Sequence, residues 1–271
     1  MRIALGIEYN GSDFYGWQAQ VHGRSVQQYV EMALSTVAHH PVTVICAGRT
    51  DTGVHAAGQV IHADVAVTRS MRSWILGSNS HLPQDVSVLW AQAVDDQFHA
   101  RFSAIARHYR YFILNRISRP ALLAKKIAWE RRPLDVKRMQ IAAHYFIGTH
   151  DFSSYRAAGC QAKSPIRTIF HLSVSQYDEM IMINISANAF LYHMVRNIAG
   201  VLMTIGCGEQ PPEWAYTVLE AKDRKTASIT APANGLYFWE VDYPAPYLFP
   251  KTIQSSLDIF TQRNRGLKTT P

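Results

Sequence analysis

The sequence predicts an α+β fold: two ferredoxin-like βαββαβ halves that form one continuous, mostly antiparallel sheet with helices on one face and a central cleft. Three observations lead there. Runs with the two-residue period of strands and the 3.6-residue period of helices follow one another as βαββαβ in the first hundred residues. The same order returns afterwards without obvious sequence identity. At 271 residues and 48% apolar content, the chain has room for one large domain or two of ordinary size. The expected boundaries are 1–104 for the first half, 105–246 for the second and 247–271 for a polar, poorly ordered tail ending Arg263-Asn264-Arg265-Gly266-Leu267-Lys268.

In the first half, alternation through Ile3, Leu5, Ile7 and Tyr9 marks a half-buried strand. Ser25-Val26-Gln27-Gln28 then reads as a capping box, opening a helix with Val26, Val30, Ala33, Leu34 and Val37 on one face. Strand-like runs follow at 42–46 and 58–65, then a helix-compatible segment at 70–78 and a strand at 86–94. In the second half, residues 107–114 alternate as a strand, Asp135 caps a helix running toward Gly148, and 166–176 with 180–187 form a hairpin around Tyr177-Asp178-Glu179. Helices at 190–205 and 212–222 and a strand at 236–242 complete the order. The first of those helices carries an apolar stripe from Phe190 and Leu191 to Ile205, and Arg196 projects away from its centre.

The formal charge of +7 is unevenly spread. Between Arg101 and Arg138 there are eleven lysines and arginines against two acids, Glu130 and Asp135, and the stretch from Arg156 through Lys163 to Arg167 has no acid. A polyanionic partner explains such clustering through counterion release; so does a merely solvated basic face. Cys46, Cys160 and Cys207 lie far apart with no C-x-x-C spacing, which indicates neither a disulfide framework nor a metal site and suits a reducing cytoplasm. Glu8 comes too early for a signal peptide, and the longest apolar run, 198–207, is too short to span a bilayer, so no membrane role is expected. No phosphate loop or dinucleotide fingerprint is present.

Residues 47–56 read Ala47-Gly48-Arg49-Thr50-Asp51-Thr52-Gly53-Val54-His55-Ala56, with one acid between two glycines and two residues after an arginine. The glycines permit sharp turning and close approach of a ligand, and the intervening types hydrogen-bond backbone in turns. An active-site loop and an ordinary Asx-turn beside a solvated arginine both fit. Tyr109 shares a strand face with Tyr111 and Ile113, which suits sheet packing as well as a functional ring. His55 fits neutral packing as well as RNA contact, and His193 and Asn197 flank the Arg196 face of their helix.

This decapeptide resembles the catalytic motif of the TruA-type tRNA pseudouridine synthases. Four further segments resemble blocks of that family in the family's order: Tyr9 to Gln18, Phe98 to Ala104, His108 to Tyr111, and Ala187 to Asn197. The resemblance spans residue 9 to about residue 243 and implies the two-half sheet architecture. It implies that Asp51 is the essential catalytic residue, acting without metal or cofactor on uridines at positions 38 to 40 in the anticodon stem-loop of tRNA. By the same resemblance Tyr109 stacks on the target base and takes part in proton transfer at C5, and Arg196 forms a buried ion pair with Asp51. Arg49 would fill the place of the flipped nucleotide and hold phosphate, with His55, His193 and Asn197 as further substrate contacts. A homodimer whose two chains jointly hold one tRNA is implied as well. Two rivals remain open at this stage: a non-catalytic tRNA-binding protein of two RNA-recognition-like units, and an RNA-cleaving enzyme that uses some of the twelve histidines.

Overall fold

The computed structural model describes residues 1–251, so the basic run 263–268 lies outside the described residues. β1 (Arg2–Tyr9) runs antiparallel between β3 (His55–Asp64) and β4 (Val86–Val94), and β2 (Ile45–Cys46) adds two residues to the far side of β3. Helices α1 (Val26–Ala38) and α2 (Met71–His81) make the connections. β5 (Ala106–Asn115) runs antiparallel between β9 (Met180–Ala187) and β10 (Leu236–Asp242), with β8 (Ile166–Tyr177) and then β7 (Gly148–Asp151) beyond β9. α3 (Val136–His144), α4 (Met194–Gly206) and α5 (Trp214–Ala221) belong to this part, and β6 (Ala128–Glu130) pairs in parallel with the end of β5. β3 and β10 join the two sets in parallel through only two residue pairs, Tyr237 with His55 and Phe238 with Ala56. The result is a ten-stranded sheet in the order β4-β1-β3-β10-β5-β9-β8-β7, with β2 and β6 off that path.

Alternation along β5 separates the two faces. Tyr109, Tyr111 and Ile113 belong to the main core together with Val30 of α1, Trp74 of α2, Met139 of α3, Ile198 of α4 and Val218 of α5. Phe112 and Leu114 point the other way and join a small cluster with Ile127, Met182 and Trp239. The five helices therefore cover one face, and the segment through Ile127 patches the centre of the other.

Several local expectations need correction. Ser25 precedes α1, but its buried hydroxyl makes no cap bond; the first helical amides, Val26 and Gln27, donate instead to the carbonyls of Gly16 and Trp17 at 3.2 and 2.9 Å. The expected strand at 42–46 shrinks to two residues because the Val42 and Val44 amides donate to the Ser35 hydroxyl and the Glu31 carboxylate of α1. α4 begins at Met194, since His193 adopts a left-handed conformation with φ 61°, so Phe190 and Leu191 precede the helix. β6 and β7 were not foreseen. Asp135 does cap α3, accepting from the Lys137 and Arg138 amides. Beyond β10, Phe249 stacks on Trp90 at 4.9 Å and the Tyr247 hydroxyl donates to Asp95 at 2.7 Å, which lays residues 247–249 against the first half. Among the described residues, no helix is long and apolar enough to cross a membrane.

Candidate active site

Asp51 sits in the loop that enters β3, and several groups of that loop are held from behind. The Trp17 amide donates to the Thr50 carbonyl at 3.0 Å, Val54 to Asp51 at 3.1 Å, and the Thr50 and Tyr9 hydroxyls lie 2.7 Å apart. Buried Gln59 bonds both the carbonyl and the amide of Gly48. Gly16 lies against the loop in a left-handed conformation: its φ is +89°, and a Cβ there would stand 2.5 Å from the Thr50 carbonyl oxygen. The segment from Tyr9 to Gln18 thus clamps the acidic loop from behind.

The loop opens into a cleft of about 740 Å³ at the seam between the two sets of strands. The Asp51 side chain is 19% exposed, and its Oδ2 lies 3.4 Å from both Arg196 Nη1 and His193 Nε2. Arg196 is aimed by its own backbone neighbours, since its Nε donates to the Ala231 carbonyl at 2.8 Å and its carbonyl accepts from the Ala231 amide at 3.1 Å. Burial lowers the His193 pKa, Asp51 opposes the shift and Arg196 and Arg224 add to it, so the imidazole is neutral at pH 7. Arg196 is therefore the charged partner of Asp51.

Tyr109 lines the same cleft from β5, its ring edge-on to Phe190 at 4.9 Å and Phe238 at 5.0 Å. Burial first, and the Asp51 charge second, push its phenol far above the ordinary range. The hydroxyl keeps its proton at neutral pH and is a donor. Arg49 is exposed on the cleft wall.

Two expected binding residues lie elsewhere. Asn197 is fully buried: its amide donates to the Tyr155 carbonyl, and its oxygen accepts from Arg224 and Thr230. One residue along a helix turns the side chain by about 100°, so Arg196 reaches Asp51 and Asn197 faces the core. His55 is 2% exposed, accepts the Gly11 amide on Nδ1 and stacks on Tyr237 at 4.6 Å, outside the cleft lining. Its role is to hold the loop at Gly11.

The basic stretch 101–138 is also not a single surface. Arg101 and Arg107 line the cleft, whereas Arg110 stacks over Trp239 on the opposite face, Arg116 pairs with Glu179, and Arg132 pairs with Glu130 and Glu209. Residue type gave no warning that Arg107 ties the cleft together, donating to the carbonyls of Ala47, Arg101, Ala104 and Asn188. Phe238 and Arg167 of the wall were missed for the same reason.

Among the described residues that line the cleft, Arg49, Arg101, Arg107 and Arg167 are cationic and Asp51 is the one carboxylate. A lone, arginine-paired acid in a basic cleft defines an enzyme site suited to a polyanionic substrate. Comparison with known proteins agrees. The model of the tRNA pseudouridine synthase family matches residues 6–103 and 142–244. A tRNA pseudouridine synthase A from Coxiella burnetii is 56% identical over 250 residues, covering 92% of this chain and 96% of its own. One from Nitrosococcus oceani is 57% identical over 251 residues, 93% and 97% of the two chains. One from Pseudomonas aeruginosa is 56% identical over 92% and 88%. The chain belongs to the tRNA pseudouridine synthase family.

Proposed function

We propose that the protein isomerises uridine to pseudouridine at positions 38 to 40 in the anticodon stem-loop of tRNA, with Asp51 as the essential group. One observation carries this reading: among the described residues, the only carboxylate in an arginine-lined cleft is the one that Arg196 contacts. A pure RNA binder gains nothing from an acid there, because it repels phosphate. In the reaction the N1–C1′ bond breaks, the base turns, C5 bonds to C1′, and the C5 proton leaves while N1 gains one. Atoms and electrons balance without an external oxidant or reductant. Asp51 supplies the group that attacks or deprotonates, and Tyr109 offers a flat ring for the base with a protonated hydroxyl for proton transfer. The target must leave its stack to reach this site, and Arg49 on the cleft wall is the side chain we assign to the vacated place and its phosphate.

The strand orders β4-β1-β3-β2 and β10-β5-β9-β8 support reading the chain as two ferredoxin-like halves, with the catalytic loop in the first and Tyr109 and Arg196 in the second. We further propose a cytoplasmic homodimer that holds one tRNA between two chains. The test is tritium release from C5-labelled tRNA by wild type and Asp51→Asn. Release by wild type with less than a tenth in the variant is expected. Strand scission, or a variant above that level, overturns the assignment.

A further inference from the structure

Outside the reaction centre, Phe102 presents an unusual surface. Its ring is 76% exposed, yet the turn that carries it is tied on several sides. The His99 ring packs against it with centroids 4.3 Å apart and planes at 30°, and His99 in turn packs at 4.8 Å on His62, which is buried. His99 Nδ1 accepts the amides of Arg101 and Phe102, the Ser103 amide donates to the His99 carbonyl, and the His99 amide donates to the Ser103 hydroxyl. His62 Nδ1 accepts the Ala100 amide. Five hydrogen bonds and two ring contacts therefore hold a large apolar ring out in water, at the cost of its burial.

The surroundings say what the ring meets. The Arg101 guanidinium lies 5.6 Å from the Phe102 centroid and also lines the cleft that holds Asp51, and Arg107 of the cleft wall bonds the Arg101 carbonyl. An aromatic face flanked by Arg101, one of four arginines that line the cleft holding Asp51, matches a base joined to a phosphate. We propose that Phe102, backed by His99 and flanked by Arg101, is a stacking subsite for an unpaired nucleobase of the RNA substrate next to the target nucleotide. This rests on the reading of the substrate as tRNA.

The test uses the full chain and a tRNA transcript carrying 2-aminopurine at an unpaired position of the anticodon loop. Wild type should quench the probe on binding. Phe102→Ala should weaken binding on the order of tenfold and abolish quenching. Phe102→Leu, which keeps apolar volume but has no π face, should behave like Phe102→Ala, and Phe102→Trp should restore both signals. Leu76→Ala, an exposed apolar residue on α2, is the control and should bind as wild type. Wild-type affinity and quenching in Phe102→Ala, or in Phe102→Leu, overturns the subsite. So does a Phe102→Ala protein that changes oligomeric state in sedimentation while tRNA affinity per assembly holds, since the ring would then face protein. Tritium release by wild type separates the two readings: release with unaltered Phe102 variants sinks the subsite alone, whereas quenching without release sinks the isomerase alone.

Discussion

Arg196 has two jobs that one amine cannot share. Its Nε is committed to the Ala231 carbonyl at 2.8 Å, and Nη1 faces Asp51 at 3.4 Å, so the planar fork sets where the charge sits. Arg196→Ala should lower the single-turnover rate at saturating tRNA by roughly a hundredfold, about 2.7 kcal/mol of barrier. Arg196→Lys should recover only part, because an ammonium reaching Asp51 abandons Ala231. An alanine variant within threefold of wild type would show the ion pair to be a bystander. For Tyr109, the Phe substitution keeps the edge contacts with Phe190 and Phe238 and removes only the proton-bearing oxygen. Binding should stay within about twofold while turnover falls by roughly a hundredfold or more, as for a lost general acid or base. Equal losses in affinity and rate would instead assign the hydroxyl to binding.

At the scale of elements, the Asp51 loop is clamped because a neighbouring loop leaves no room. Gly16→Ala places a methyl 2.5 Å from the Thr50 carbonyl and imposes an L-residue on φ +89°. The expected cost is roughly 2–4 kcal/mol in urea unfolding, from left-handed strain of ~1–2 kcal/mol plus overpacking. The amide hydrogen bonds of Trp17 to Thr50 and of Val26 to Gly16 should exchange faster in the same variant. A variant with wild-type stability and activity would mean that the loop relaxes freely. α4 shows the same division of labour. Its helical stripe packs the core, whereas the four residues before it leave the helix and bring Phe190 and His193 to the cleft.

Across the whole molecule, two buried histidines couple the fold to pH. Burial pushes both His55 and His62 from 6.5 down to about 4. Between those values the unfolded chain binds protons that the folded chain refuses, so their contribution is complete above about pH 6.5 and is lost as pH falls toward 4. By pH 5 the loss should be on the order of 2 kcal/mol from each, read as a lower urea midpoint than at pH 7.5. His55→Gln with His62→Gln should flatten that dependence. Equal wild-type midpoints at the two pH values would contradict it. His62 packs on His99 under Phe102 and His55 holds the Gly11 segment behind the Asp51 loop, so both regions share this sensitivity.

Periodicity by itself determined where the long strands and helices lie, because burial of one face imposes a spacing that any local window contains: β4 and β10 have the very bounds their alternation predicts. The motif's residue types left Asp51 open between an active-site loop and an Asx-turn; its resemblance to a family block pointed to the first. β6 and β7, three and four residues long, are too short to carry a period. What meets what was decided only by tertiary structure. Asp51 and Arg196 are 145 positions apart, and their contact depends on β3 and β10 pairing at the seam. Ser25 lost its capping role because the first helical amides donate to the Gly16 and Trp17 carbonyls, and Asn197 turned to the core while its neighbour Arg196 turned to Asp51. A local pattern encodes that a face is apolar or polar. Which distant group completes that face is settled by packing, where competing partners are compared in three dimensions.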